Sequence, residues 1–304
     1  IAEEWRLANC PERDIKYVTF AYNGTLQPPV KKDANGNLVA ISEQVQPHEK
    51  LYIYFTPIET DFAVDLSNQR NLSVMEALNG WNALASGRIL VYIYDINFRN
   101  YFINFNNFGT VESMYNDYRN NGVYYMYSQG PIDTSVPCFQ EMRIYVESQL
   151  MWDISQGYDA LVNDFMRNYY RDAAPKVREF YDMIRNRYAR YYSIDDTSLG
   201  GGIYDQVGNS DLWEENLVNA LGETLDEAFA AIERYRDTDS ELYAKLHDRI
   251  MKEYLTVLFL KLSYYQASYT SSEIQQMKAD FKYYTTYFQI VNYAENNSLE
   301  GLFD

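Results

Sequence analysis

The residues best placed to do chemistry are two carboxylates that follow apolar runs. Glu59 stands in Pro57-Ile58-Glu59-Thr60-Asp61, and Asp95 stands in Tyr94-Asp95-Ile96-Asn97-Phe98. A pair of acids can divide general-acid and general-base work at a glycosidic bond. Two further apolar runs end in Ala21-Tyr22-Asn23 and Tyr127-Ser128-Gln129-Gly130, so amides and rings recur where the carboxylates are, without cationic side chains. That set suits an uncharged, hydroxyl-rich ligand better than a phosphorylated one. Carboxylates and amides bond to hydroxyls, and rings stack on sugar faces. Glu59 and Asp95 are therefore the candidate catalytic residues, with Tyr22, Tyr94, Asn97 and Gln129 as candidate contacts to a carbohydrate.

Each of these residues has a plainer reading. Glu59 could cap a helix or pair with a cation, and Gln129 could satisfy loop backbone. Asp95 lies between apolar residues, where burial without a partner costs several kcal/mol, so it needs either a role or a counter-charge. The chain holds 31 Tyr, and most must be ordinary core or surface residues. The placement of Tyr22, Tyr94 and Tyr127 is more informative than any one of them.

Other chemistries lack their residues. The only histidines, His48 and His247, are far apart, and no CxxC or HExxH spacing occurs, so a zinc site is not expected. No GxSxG elbow marks a nucleophilic serine. Leu199-Gly200-Gly201-Gly202-Ile203 matches neither phosphate-binding glycine pattern and reads as a flexible connector. Asp33-Ala34-Asn35-Gly36-Asn37 opens like a calcium loop but has Leu38 and Gln44 where an EF-hand needs Gly and Glu; Asn35-Gly36 reads as a hairpin turn. No metal or cofactor is expected. Against 26 basic side chains stand 43 acidic ones, a net charge of −17 that disfavours nucleic acid. No apolar run approaches the roughly 18 residues of a membrane span. Two cysteines, Cys10 and Cys138, cannot build a disulfide framework.

The elements that would position these groups fall into two stretches. Residues 16–22, 51–58, 88–96 and 123–128 are short, nearly continuous apolar runs, the pattern of parallel strands buried on both faces. Between them, 72–84 places Leu72, Met75, Leu78 and Trp81 at helical steps, and 111–121 also reads as a helix. Strand–helix alternation implies right-handed βαβ units. Residues 31–41 read as an inserted hairpin. From Cys138 onward no strand signal remains. Helices are expected over 139–152 and 158–170, then from Pro175 along Val177, Phe180, Ile184, Tyr188 and Tyr191. A linker is read over 193–210. Three long helices follow, carrying Leu221 to Tyr235, Leu246 to Leu262, and Ile274, Met277, Phe281, Tyr284, Phe288 and Val291. The last opens on a Thr270-Ser271-Ser272-Glu273 capping box. Such stripes bury against one another in a bundle.

Several runs in fixed order carry a family resemblance: IKYVTFAYNGTLQPP, YFTPIETDF, WNALASGRILVYIYDINFRNYF, NNGVYYMYSQG, FQEMRIYVESQLMWD and DFMRNYYRDAAPKVREFYDMI. Over residues 10–190 the chain resembles the DUF4838 family of bacterial proteins. The resemblance implies an α/β barrel related to glycoside hydrolases of the α-glucuronidase and β-hexosaminidase kind, followed by a helical C-terminal domain. No activity is generally established for the family. The match carries onto Tyr22, Glu59, Asp95, Asn97 and Gln129. Two departures stand out: Tyr94-Asp95-Ile96 replaces a Trp-Asp-Tyr step, and Arg171-Asp172 follows Tyr169-Tyr170 where relatives have Gly.

The expected fold class is α/β then all-α. Residues 1–135 would form the C-terminal portion of a TIM-like (β/α) barrel and 136–304 a helical bundle. The four strands resemble the last four of eight, and the general acid of the related hydrolases comes from the fourth, which would precede Ile1. The chain is therefore expected to be a portion of a longer protein, because a free-standing half-barrel leaves two apolar edges open. The implied activity is inverting glycoside hydrolysis, with Glu59 or Asp95 as the base. The alternative is a non-catalytic carbohydrate-binding or scaffold protein: convergent carboxylates in a hollow favour the enzyme, and a row of exposed rings favours the binder. A third possibility is a helical half that docks another protein through an exposed stripe along 274–291. Oligomeric state is open, and location is open with an extracytoplasmic site favoured.

Overall fold

A computed structural model of the chain describes residues 1–132, 134–192 and 200–303. The fold is mixed α/β, with a four-stranded parallel sheet and many helices. Its contacts divide it into two compact units. The first comprises Ile1–Thr60, Asp65–Tyr94 and Ser113–Ser128; the second comprises Asp61–Val64, Asp95–Glu112 and the chain from Gln129 onward.

The first unit is built on the sheet. Strands β1 (Tyr17–Ala21), β4 (Leu51–Phe55), β5 (Ile89–Tyr94) and β6 (Val123–Gln129) lie side by side in that order. Tyr17 pairs with Leu51 and Ala21 with Phe55, and Ile53 pairs with Ile89. Side chains alternate along each strand. Ile53, Phe55, Ile89, Val91 and Ile93 are buried, and helix α2 (Leu72–Ala85) packs against β4 and β5. The intervening positions Tyr52, Tyr54, Leu90 and Tyr92 are only half-buried, and Val18 and Phe20 on β1 are exposed. Burial on both faces is expected; it is found on one face of β4 and β5 and on neither face of β6. Tyrosine explains the difference, because an unbroken Tyr-rich run looks apolar in sequence while each hydroxyl tolerates water.

The α2 stripe is also rotated from its expected face. Val74, Ala77, Leu78 and Leu84 are buried, while Leu72 is exposed. Trp81 is held by a hydrogen bond from its indole N–H to the Leu26 carbonyl, 2.8 Å. Gly80 lets the preceding loop approach: a Cβ there would lie 2.4 Å from Pro28 Cγ. The inserted hairpin is present as β2 (Val30–Lys32) and β3 (Leu38–Ala40). Its turn is closed by the Asp33 carboxylate, which accepts from the Asn35 and Asn37 N–H groups at 2.8 and 2.9 Å, with Gly36 at φ 85°. Ahead of β1, helix α1 (Ala2–Asn9) was not anticipated. It is tied down by Arg6, whose guanidinium donates to the Cys10, Pro11 and Arg13 carbonyls.

The second unit is helical. Helix α3 (Val111–Asn120) straddles the boundary between the units. Beyond it come α4 (Gln140–Trp152), α5 (Tyr158–Tyr170), α6 (Ala174–Tyr192), α7 (Glu215–Ile232), the short α8 (Tyr235–Thr238), α9 (Ser240–Tyr264) and α10 (Ser271–Tyr287). Helix α9 packs against α5, α7, α8 and α10, and α6 packs against α5 and α7. The capping box at Thr270 forms as expected. The expected stripe ends early, however. Helix α10 stops at Tyr287, Gln289 takes a left-handed φ of 57°, and Val291 is exposed outside the helix. No glycine marks that stop. A short hairpin of β7 (Asn292–Ala294) and β8 (Asn297–Ser298) then corrects the expectation of no strand after Cys138. Strands of two and three residues are too short to leave an alternating pattern.

The loop after β5 is core to this unit. Tyr101, Phe102, Phe105 and Phe108 are buried, and Phe102 stacks on Phe259 of α9 with centroids 4.9 Å apart. Residues 193–199 of the expected linker lie outside the described residues. Residues 200–210 are packed: Ile203 and Val207 are buried, and the Gly201 carbonyl accepts from Phe62 N–H at 2.9 Å.

Candidate binding face and the buried carboxylates

In the first unit, four rings from four different strands form a continuous row. Phe20 stacks on Tyr54 at 5.3 Å, Tyr54 meets Tyr92 edge-on at 5.7 Å, and Tyr92 meets Tyr127 at 4.8 Å. Phe20 and Tyr54 are register partners, and Tyr92 lies two residues beyond Leu90, the partner of Tyr54, so it shares that face of the sheet. A second contact joins Tyr52 to Tyr124 at 5.9 Å, with the Lys16 ammonium 5.6 Å from the Tyr52 ring centre. Phe20, Tyr124, Tyr125 and Tyr127 are exposed, with Tyr124 at 68%. Burial, with neighbouring phenols, pushes Tyr54 and Tyr92 above the usual phenol range. Their hydroxyls therefore remain protonated donors.

Three sequence candidates belong to this unit. Tyr22 is exposed just after β1, where its N–H donates to the Thr25 hydroxyl. Tyr94 is buried, its ring 5.3 Å from that of Tyr92. Glu59 is exposed in the loop after β4, and its carboxylate has no hydrogen-bond or ion-pair partner among the described residues.

The other three belong to the second unit. The Asp95 side chain is buried. Its Oδ1 accepts from Asn107 Nδ2 at 2.7 Å, and Oδ2 lies 3.4 Å from Arg143 Nε, an ion pair rather than an aligned hydrogen bond. Arg143 Nη1 also donates to the Asp95 carbonyl at 2.7 Å. Glu147, also buried, lies within reach of the Asp95 carboxyl and acts with Arg143 and Asn107 to favour its charged form. Burial raises the Asp95 carboxyl above its ordinary range, opposed by Arg143 and Asn107. Helix α4 supplies both Arg143 and Glu147, one turn apart. Asp95 is thus held in a buried acid–guanidinium cluster.

Asn97 is fully buried and works on backbone. Its Nδ2 donates to the Asp205 and Gly202 carbonyls at 2.9 and 3.4 Å, and its Oδ1 accepts from Arg99 N–H. Gln129 is half-buried, and its carbonyl accepts from Asp95 N–H at 2.9 Å. Sequence reasoning missed Asn107, Arg143 and Glu147. The i,i+4 spacing of Arg143 and Glu147 was the available signal, and it is a common one on any helix.

Among the described residues no group of His, Cys, Asp and Glu is arranged to hold a metal ion. No helix among them is long and apolar enough to cross a membrane. Burial pushes the Cys138 thiol up to about 12, which suppresses the thiolate a nucleophile needs. A family model described as a domain of unknown function (DUF4838) matches residues 8–182. Neither the curated proteins nor the solved structures contain a match.

Proposed function

The chain belongs to the DUF4838 family, whose model spans more than half of it, and on that footing we propose that it binds carbohydrate by ring stacking across the open face of the sheet. We read the sheet as part of a (β/α) barrel. Its parallel strands follow in chain order, as neighbouring barrel strands do. The rings opposite α2 would then belong to the inner wall. The observation that carries the proposal is the row Phe20, Tyr54, Tyr92 and Tyr127, which crosses every strand of the sheet. Ring faces suit the apolar C–H faces of sugars, and phenol hydroxyls can donate to or accept from sugar hydroxyls.

Affinity electrophoresis against soluble plant and bacterial polysaccharides, followed by calorimetry with the matching oligosaccharide, tests it. Tyr92→Ala, at the centre of the row, should weaken binding about tenfold, the equivalent of one ring contact. Tyr283→Ala, on the exposed side of α10, should leave it unchanged. Retained affinity in Tyr92→Ala, or no polysaccharide bound at all, would overturn the assignment.

Hydrolysis is the second reading, favoured by Glu59 as an exposed carboxylate after β4. In an inverting mechanism Glu59 would activate water, with the acid roughly 6.5–9.5 Å away. It requires nitrophenol release from aryl glycosides that Glu59→Gln abolishes. Glycan binding without such release leaves the binding function alone.

A further inference from the structure

We propose that a cavity walled by α7, α8, α9 and α10 binds a small organic cation of the quaternary-ammonium class. The cavity measures about 360 Å³ and lies at residues 226–284, beyond the stretch matched by the family model. That volume is at the lower end of ordinary small-ligand sites.

Aromatic rings from three helices converge on it. Phe229 of α7 lies 5.1 Å from the His247 ring of α9 and 6.0 Å from Tyr254. Tyr243 and Tyr284 flank the same imidazole at 5.9 and 6.4 Å. All are half-buried and line the cavity, with part of each ring left accessible. Met251 and Leu258 add apolar lining.

Charge decides which ligand such a cage prefers. The lining contains Asp226, Glu233 and Asp280 against a single cation, Arg236. Lys261, outside the lining, offsets part of the Asp226 charge, which leaves Asp280 and an acidic surround in a chain of net charge −17. Rings with carboxylates behind them are the composition that stabilises a weakly hydrated cation, which needs ring faces within about 6 Å. One wall already displays this chemistry: the Arg236 guanidinium sits 5.1 Å from the Tyr243 ring centre and pairs with Glu233 at 2.7 Å. A neutral sugar would use the rings and gain nothing from the net charge.

Calorimetric titration of the full chain with choline chloride tests this, against sodium chloride at equal ionic strength. The neutral isostere 3,3-dimethyl-1-butanol serves as a second comparison. Saturable choline binding is expected, at least about tenfold tighter than the alcohol. Phe229→Ala should weaken it about tenfold. Asp280→Asn, which keeps shape and removes charge, should weaken choline while leaving the alcohol unchanged. Both variants are first matched to the parent in thermal midpoint. No saturable choline binding, equal affinity for the alcohol, or undiminished binding in Asp280→Asn would each overturn the proposal.

Discussion

Arg143 grips Asp95 twice, through its side chain at 3.4 Å and through its main-chain carbonyl at 2.7 Å, so one guanidinium fixes both the charge and the backbone at the end of β5. Both side chains are about nine-tenths buried. Removing one member of such a pair strands the other in a low-dielectric interior.

Arg143→Ala should therefore destabilise the protein by about 3–5 kcal/mol. Asp95→Asn should cost less, because the amide still accepts from Asn107 and leaves a cation that Glu147 can meet. The double variant should cost less than the sum of the singles. Urea denaturation of the three variants checks this, and additive losses would show that the pair does not act as a unit.

Glu253 on α9 supplies a pH dependence. It is buried, accepts from Phe139 N–H at 2.9 Å and Tyr170 O–H at 3.3 Å, and is pushed up to about 7 by burial and by nearby Glu141. Between its unfolded value of 4.5 and about 7, the native state holds a proton that the unfolded chain has released. Stability contributed by this group is therefore present below that window and lost as pH rises through it, on the order of 3 kcal/mol. Glu253→Gln should flatten that stretch of the melting-temperature profile, and an unchanged slope would count against it.

Gly201 is required by close approach. A Cβ there would lie 2.1 Å from the Ala63 nitrogen and 2.3 Å from Asp61 Oδ1. Gly201→Ala should cost about 1–3 kcal/mol through overpacking. Gly109→Ala, where a Cβ meets nothing within 4 Å, is the control in the same urea titration.

Thr270 and Glu273 cap α10 reciprocally, with Thr270 N–H donating to Glu273 at 2.7 Å and Glu273 N–H to the Thr270 hydroxyl at 3.3 Å. Thr270→Ala should lower stability by about 1 kcal/mol, read as earlier urea unfolding with an unchanged slope.

Features coded within a few residues were readable before any coordinates. The Thr270 box, the Asp33 turn and the helical steps of α5, α6 and α9 each rest on neighbours three or four positions apart. Helix ends without a glycine were not readable: Gln289 stops α10 through a left-handed backbone that its side chain does not advertise. The rotated face of α2 was hidden for a related reason. Its buried contacts include the small Ala77 and Gly80, which carry little hydrophobic signal.

By itself, the sequence determined the family, the alternation of strand and helix, and the residue types that follow each strand. Only the tertiary structure decided what those residues face. Parallel pairing turned isolated aromatic positions into a ring row from Phe20 to Tyr127, and α4 brought Arg143 to Asp95 across 48 positions of chain. The physical reason is range: turns, caps and helical periods are set by local backbone geometry. Whether a carboxylate is exposed like Glu59 or neutralised like Asp95 depends on the dielectric and counter-charges supplied by distant segments.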